Sequence, residues 1–186
     1  KEISKCTDNF TELIGKHVTN VFRISNLTVE EFLFISEKPP NEFFSKTDGP
    51  FLIEIDYNLI IGISRYESTG ELICWIEQNE RKEKNVHETI LDAKDSSCIT
   101  LEDSKFVEKN LQDIKGLSII GIDFYSSVHK SNDSPMVSPV ENVVFRLQNE
   151  KVLIVGSDIT QSIDPFSVTA DSTVLFKIQD EFYKID

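Results

Sequence analysis

One pattern of apolar residues and glycine occurs twice in this chain, 101 positions apart, and it narrows the folds available. Leu13, Gly15, Val18 and Val21 are answered by Ile114, Gly116, Ile119 and Ile122. Before each glycine the apolar residues have helical spacing: Phe10, Leu13 and Ile14 in the first case, Val107, Leu111 and Ile114 in the second, where Thr100 to Asp103 supply a start signal. After each glycine comes a run rich in β-branched and aromatic residues, Val18 to Ile24 and Leu117 to Tyr125. Each half is expected to open with a short helix, a turn and a strand.

The middles of the halves also correspond. Phe51 to Asp56 turns at Tyr57-Asn58 and resumes as Leu59 to Ser64; Val143 to Gln148 turns at Asn149-Glu150 and resumes as Val152 to Gly156. Both read as β-hairpins, now 92 to 94 positions apart, so the loops must differ in length. Leu72, Ile73, Trp75 and Gln78 align at the original spacing with Thr173, Val174, Phe176 and Gln179, which predicts a closing strand in each half. An additional apolar segment, Phe32 to Ile35, belongs to the first half alone, and Val86, Ile90 and Leu91 allow a short amphipathic helix within the polar stretch 79–105. The expected architecture is mainly β with a few short helices: a compact β-rich sandwich or barrel-like unit over 1–186, with internal halves 1–100 and 101–186.

The chemistry that would mark an enzyme is missing. His17, His87 and His129 have no nucleophile-elbow sequence beside them, and the seven glycines are too dispersed to cradle a phosphate. No cofactor is expected. Cys6, Cys74 and Cys98 form no CxxC pair, which argues against a metal or redox site and for a reducing compartment, with Cys74 a small buried hydrophobe in its apolar run. No catalytic or metal-binding residues are expected, and no apolar run approaches the ~20 residues of a membrane helix.

Charge is the positive signal. The chain carries 32 acidic against 19 basic residues, a net of −13. Such a chain repels nucleic acid and anionic membranes and attracts a cationic partner. The excess lies mainly in 67–113, at 12 acidic against 6 basic, and in 158–186, at 6 against 2. Asp92, Asp95, Glu102 and Asp103 from the first region, with Asp164 and Asp171 from the second, are the expected partner-binding residues. Tyr57, at a predicted hairpin turn, is a candidate aromatic anchor; Phe43, Phe44 and Trp75 are expected to pack inside.

Size, acidity, β-rich patterning (Asp48-Gly49-Pro50-Phe51-Leu52-Ile53-Glu54-Ile55-Asp56 is one element of it) and absent catalytic motifs together resemble the bacterial immunity proteins that oppose polymorphic or contact-dependent inhibition toxins. The resemblance implies a cytoplasmic, non-enzymatic inhibitor whose acidic surface covers the substrate-binding surface of a cognate basic toxin, a nuclease such as an RNase. A second reading is a secreted or surface β-rich module that binds a ligand or protein, suggested by abundant strands and a first residue other than Met. An acid-catalysed hydrolase built on two carboxylates is a third.

Overall fold

The computed structural model describes residues 10–47, 49–66, 68–81, 83, 97–127, 139–157 and 166–185. Two five-stranded antiparallel sheets pack as a sandwich, without barrel closure among the described residues. Sheet 1 contains β1 (Val18–Ser25), β2 (Phe51–Ile55), β3 (Leu59–Arg65), β4 (Leu72–Gln78) and β5 (Ser97–Thr100), in the order β4-β3-β2-β1-β5. Sheet 2 contains β6 (Ile119–Ser126), β7 (Asn142–Leu147), β8 (Val152–Ser157), β9 (Phe166–Thr169) and β10 (Tyr183–Ile185), in the order β10-β6-β7-β8-β9. Matching β1 with β6, β2 with β7 and onward makes the two orders identical.

The correspondence reaches individual hydrogen bonds. β1 is bulged against β2 between Val18 and Asn20, and β6 is bulged against β7 between Ile119 and Gly121, again 101 positions apart. Where the halves meet, His17 and Ser118 form an antiparallel bridge. The Val18 N–H donates to the Leu117 carbonyl at 2.9 Å, and the Ile119 N–H donates to the Lys16 carbonyl at 2.8 Å, the same bond seen from each side. These relations describe a pseudo-two-fold axis beside His17 and Ser118.

The alternation of each strand sends one set of side chains inward. Val21, Phe51, Ile53 and Ile63 of sheet 1 join Val143, Phe145, Leu153 and Val155 of sheet 2 in one core. Phe10, ahead of β1, crosses to sheet 2 and stacks edge-on against Phe145, with ring centroids 5.6 Å apart. Each such buried aliphatic or aromatic side chain contributes about 1.5–3 kcal/mol. Arg23 is fully buried in this interior; its guanidinium donates to the carbonyls of Thr47 and Phe166 and lies 4.6 Å from the Phe166 ring centroid.

The expected closing strand at 173–176 is a helix instead. Asp171 caps α4 (Ser172–Glu181), and Val174, Leu175, Ile178 and Phe182 pack as a helical stripe on Tyr125, Val144, Val152 and Ile154, the outer face of sheet 2. The counterpart of β4 is β9, a few residues earlier. Between β1 and β2 lie 25 residues, 26–50, against 15 between β6 and β7, 127–141. That difference of 10 takes the spacing from 101 at the ends of β1 and β6 to 91 at Phe51 and Asn142, the starts of β2 and β7. The longer connection carries α1 (Val29–Ser36) and α2 (Phe43–Lys46), and α3 (Lys109–Gln112) precedes β6. Residues 84–96, with the expected helix around Val86, Ile90 and Leu91, lie outside the described residues.

Phe43 and Phe44 are buried as expected, and Trp75 is half-buried, its indole N–H donating to Glu77 Oε2 at 2.7 Å. Cys74 is buried too, but it is disulfide-bonded rather than a free thiol, whereas Cys98 is free. No helix among the described residues is long and apolar enough to cross a membrane.

Candidate functional site

Strand register brings three stretches to one end of sheet 1. Val18 pairs with Ile55, Ile55 with Leu59, and Ile60 with Gln78, so Lys16-His17, the Asp56-Tyr57 turn and the chain after β4 emerge together. A cleft of about 320 Å³ opens there. Its floor is Leu13, Leu59, Ile61 and Ile76, and its rim is Glu12, Lys16, Asn79, Glu80, Arg81 and Glu83.

Asn79 shapes one wall. Its side-chain oxygen accepts from the N–H groups of Arg81 and Glu83, both at 3.0 Å, while its amide donates to Glu83 Oε2 at 2.8 Å. A short polar side chain thereby takes over hydrogen bonds that a regular strand would make, and the chain turns around it. Glu80, Arg81 and Glu83 are held at the mouth.

Lys16 crosses the cleft to donate to Glu80 Oε1 at 2.5 Å. That hydrogen bond, followed by the charges of Glu80, Asp56 and Glu12, holds the ammonium above the ordinary lysine range despite an opposing desolvation cost. A cation at this position experiences three carboxylates. The rim itself sums to −1, from Glu12, Glu80 and Glu83 against Lys16 and Arg81. An apolar floor under carboxylates suits a side chain with an aliphatic stem and a cationic head.

The neighbouring turn presents Tyr57, which is 71% exposed. Asp56 and Tyr57 both have positive φ, 49° and 63°, the geometry that a tight hairpin needs and that non-glycine residues adopt at a cost. Hydrogen bonds hold it: the His17 N–H donates to Asp56 Oδ1 at 2.9 Å, and the Tyr57 N–H donates to Thr19 Oγ1 at 3.1 Å. His17 Nδ1 lies 3.3 Å from the same Asp56 oxygen.

Three of the acidic residues selected from sequence make local hydrogen bonds away from the cleft. Glu102 pairs with Lys115 at 2.8 Å, and that hydrogen bond, then the lysine charge, lowers its carboxyl below the ordinary range. Asp103 accepts from the Thr100 N–H at 2.8 Å and closes the turn after β5. Asp171 accepts from the Thr173 N–H at 2.9 Å as the cap of α4. None of the three lines the cleft. Asp92, Asp95 and Asp164 lie outside the described residues. Among the described residues, no three histidine, cysteine or acidic side chains converge as metal ligands.

No family model, curated protein or solved structure matches this chain. Chemistry at the cleft is thus the local guide to function. Of its residues, Glu80 and Glu83 belong to the acidic region visible in sequence. Glu12 and Lys16 carried no sequence signal beyond flanking the first repeated glycine, because their convergence with β4 depends on the pairing of distant strands.

Proposed function

We propose that this protein is a non-enzymatic inhibitor of the bacterial immunity type: it binds a basic toxin, a nuclease domain, and occludes the surface that toxin uses to hold RNA or DNA. The observation that carries the reading is the cleft, an apolar floor whose rim carboxylates Glu12, Glu80 and Glu83 outnumber Lys16 and Arg81, within a chain of net charge −13. A lysine or arginine of the partner lays its stem on Leu59 and Ile76 and its cation among the carboxylates, while Tyr57 supplies an aromatic contact beside it. Long-range attraction accelerates encounter and local fit sets the lifetime of the complex. The partner is a cognate basic protein toxin; nucleic acid and membrane are not direct partners, and the working compartment is the cytoplasm.

The test is capture from cells of the source organism at low salt, elution with rising salt and titration of the eluted protein's nuclease activity. A basic protein that elutes with salt and loses activity at a one-to-one ratio supports the reading. Recovery of no basic protein, or of one whose activity is untouched, rejects it.

A second reading, a secreted or surface protein-binding module, draws on one observation: Cys74 is disulfide-bonded. Disulfides persist in oxidising compartments and are reduced in the cytoplasm. Thiol counting on protein taken directly from its native compartment separates the two, since one reactive cysteine favours the module and three favour the cytoplasmic inhibitor.

A further inference from the structure

The helix α1 carries large apolar residues on its outer side as well as on the side that meets the core. Its inward stripe is Val29, Phe32 and Leu33, packed on the core, with Phe32 edge-on to Phe43 at 5.0 Å. Its outward side carries two more large apolar residues, Phe34 at 88% exposed and Ile35 at 67%. One turn before them on that side stand Glu30 and Glu31, and Glu37 follows at the C-cap, all exposed. A reciprocal capping box fixes the helix, with Thr28 Oγ1 accepting from the Glu31 N–H at 3.2 Å and the Glu31 carboxylate accepting from the Thr28 N–H at 2.8 Å. The whole element sits in the connection that is 10 residues longer than its counterpart in the second half.

We infer that the outer face of α1 is a docking surface for a basic protein with an apolar recess, which takes Phe34 and Ile35 as anchors and meets Glu30, Glu31 and Glu37 with lysine or arginine. The inference rests on the reading above that the partner is basic, and it adds a large apolar contact at the end of sheet 1 opposite the cleft. Charge selects the occupant. A second copy of this chain would set the same three carboxylates against a body of net charge −13, and an anionic lipid surface would be repelled likewise.

The probe is a synthetic helical peptide of alternating leucine and lysine pairs, compared with a version in which every leucine is serine. Amide shifts of the isotopically labelled protein are followed by NMR. The surface as inferred gives perturbations over residues 29–37 with the leucine peptide, a loss of at least tenfold in apparent affinity with the serine peptide, and a similar loss in the doubly substituted Phe34→Ser, Ile35→Ser protein. Both positions are exposed, so the variant keeps the wild-type spectrum elsewhere, which the same experiment verifies. Perturbations confined to residues 12–16 and 76–83 overturn the α1 surface but leave the cleft reading standing. Binding at neither end also overturns the α1 surface, while the cleft reading stands or falls on capture of the basic protein. Concentration-dependent shifts at 34 and 35 without peptide, or binding to phosphatidylcholine vesicles that Phe34→Ser abolishes, overturn the inference in favour of self-association or a lipid surface.

Discussion

Gly15 and Gly116 make the same hydrogen bond from opposite sides of the seam between the halves: the Gly15 N–H donates to the Ile119 carbonyl at 2.8 Å, and the Gly116 N–H donates to the Val18 carbonyl at 2.7 Å. Both have positive φ, 90° and 83°, and a Cβ at either would meet nothing within 4 Å. Substitution therefore introduces backbone strain without a clash. Gly15→Ala and Gly116→Ala are each expected to destabilise the protein by about 1–2 kcal/mol, by similar amounts, in urea unfolding. Markedly unequal losses would show that the two turns are not energetically equivalent.

A different glycine is constrained by a neighbour. Gly62 pairs across strands with Trp75, and a Cβ there would overlap the indole ring. Gly62→Ala is expected to push Trp75 off β3, costing about 1–3 kcal/mol and shifting the emission of this sole tryptophan to longer wavelength as the ring gains water. An unchanged spectrum would contradict the packing.

Arg23 is a buried charge whose guanidinium answers two carbonyls and an aromatic face. Removing it leaves the Thr47 and Phe166 carbonyls without this donor. Arg23→Met, close in length but without donors, is expected to cost about 1–3 kcal/mol, the range for leaving buried carbonyls without a donor. A loss below about 1 kcal/mol in thermal or urea unfolding would mean that the guanidinium is not holding α2 and β9 together.

The Glu102–Lys115 pair gives a pH signature. The Lys115 hydrogen bond, then its charge, lowers the Glu102 carboxyl, so the pair's contribution is present above the ordinary glutamate range and is lost as the pH falls through the depressed folded value. Carboxyl NMR is expected to place the Glu102 midpoint below that of a free glutamate, and Lys115→Gln is expected to return it to the ordinary range.

The legible parts of this fold were those in which local pattern and strand period agree. β1, β6 and both hairpins follow from alternating β-branched residues around polar turns. The end of the second half misleads because Val174 and Phe176 match Ile73 and Trp75 in character, whereas the spacing that decides the element is Val174, Leu175, Ile178 and Phe182 behind the Asp171 cap. The cleft was less legible still. Glu12, Lys16 and Glu80 are brought together by pairing between residues tens of positions apart, and acidity alone cannot separate Glu80, at a cleft, from Glu102, in a surface pair. In α1 the run Phe32 to Ile35 was visible as apolar; that two of its members face outward depends on which side meets Phe43.

The most direct test of an acidic, non-catalytic binder is the association rate of the captured basic protein with the wild type and with the triple variant Glu12→Gln, Glu80→Gln, Glu83→Gln, measured across ionic strength. The wild-type rate is expected to fall steeply with salt, and the variant to be at least tenfold slower at low salt and to converge with the wild type at high salt. Equal rates for the two proteins at every salt concentration would contradict the assignment of the cleft.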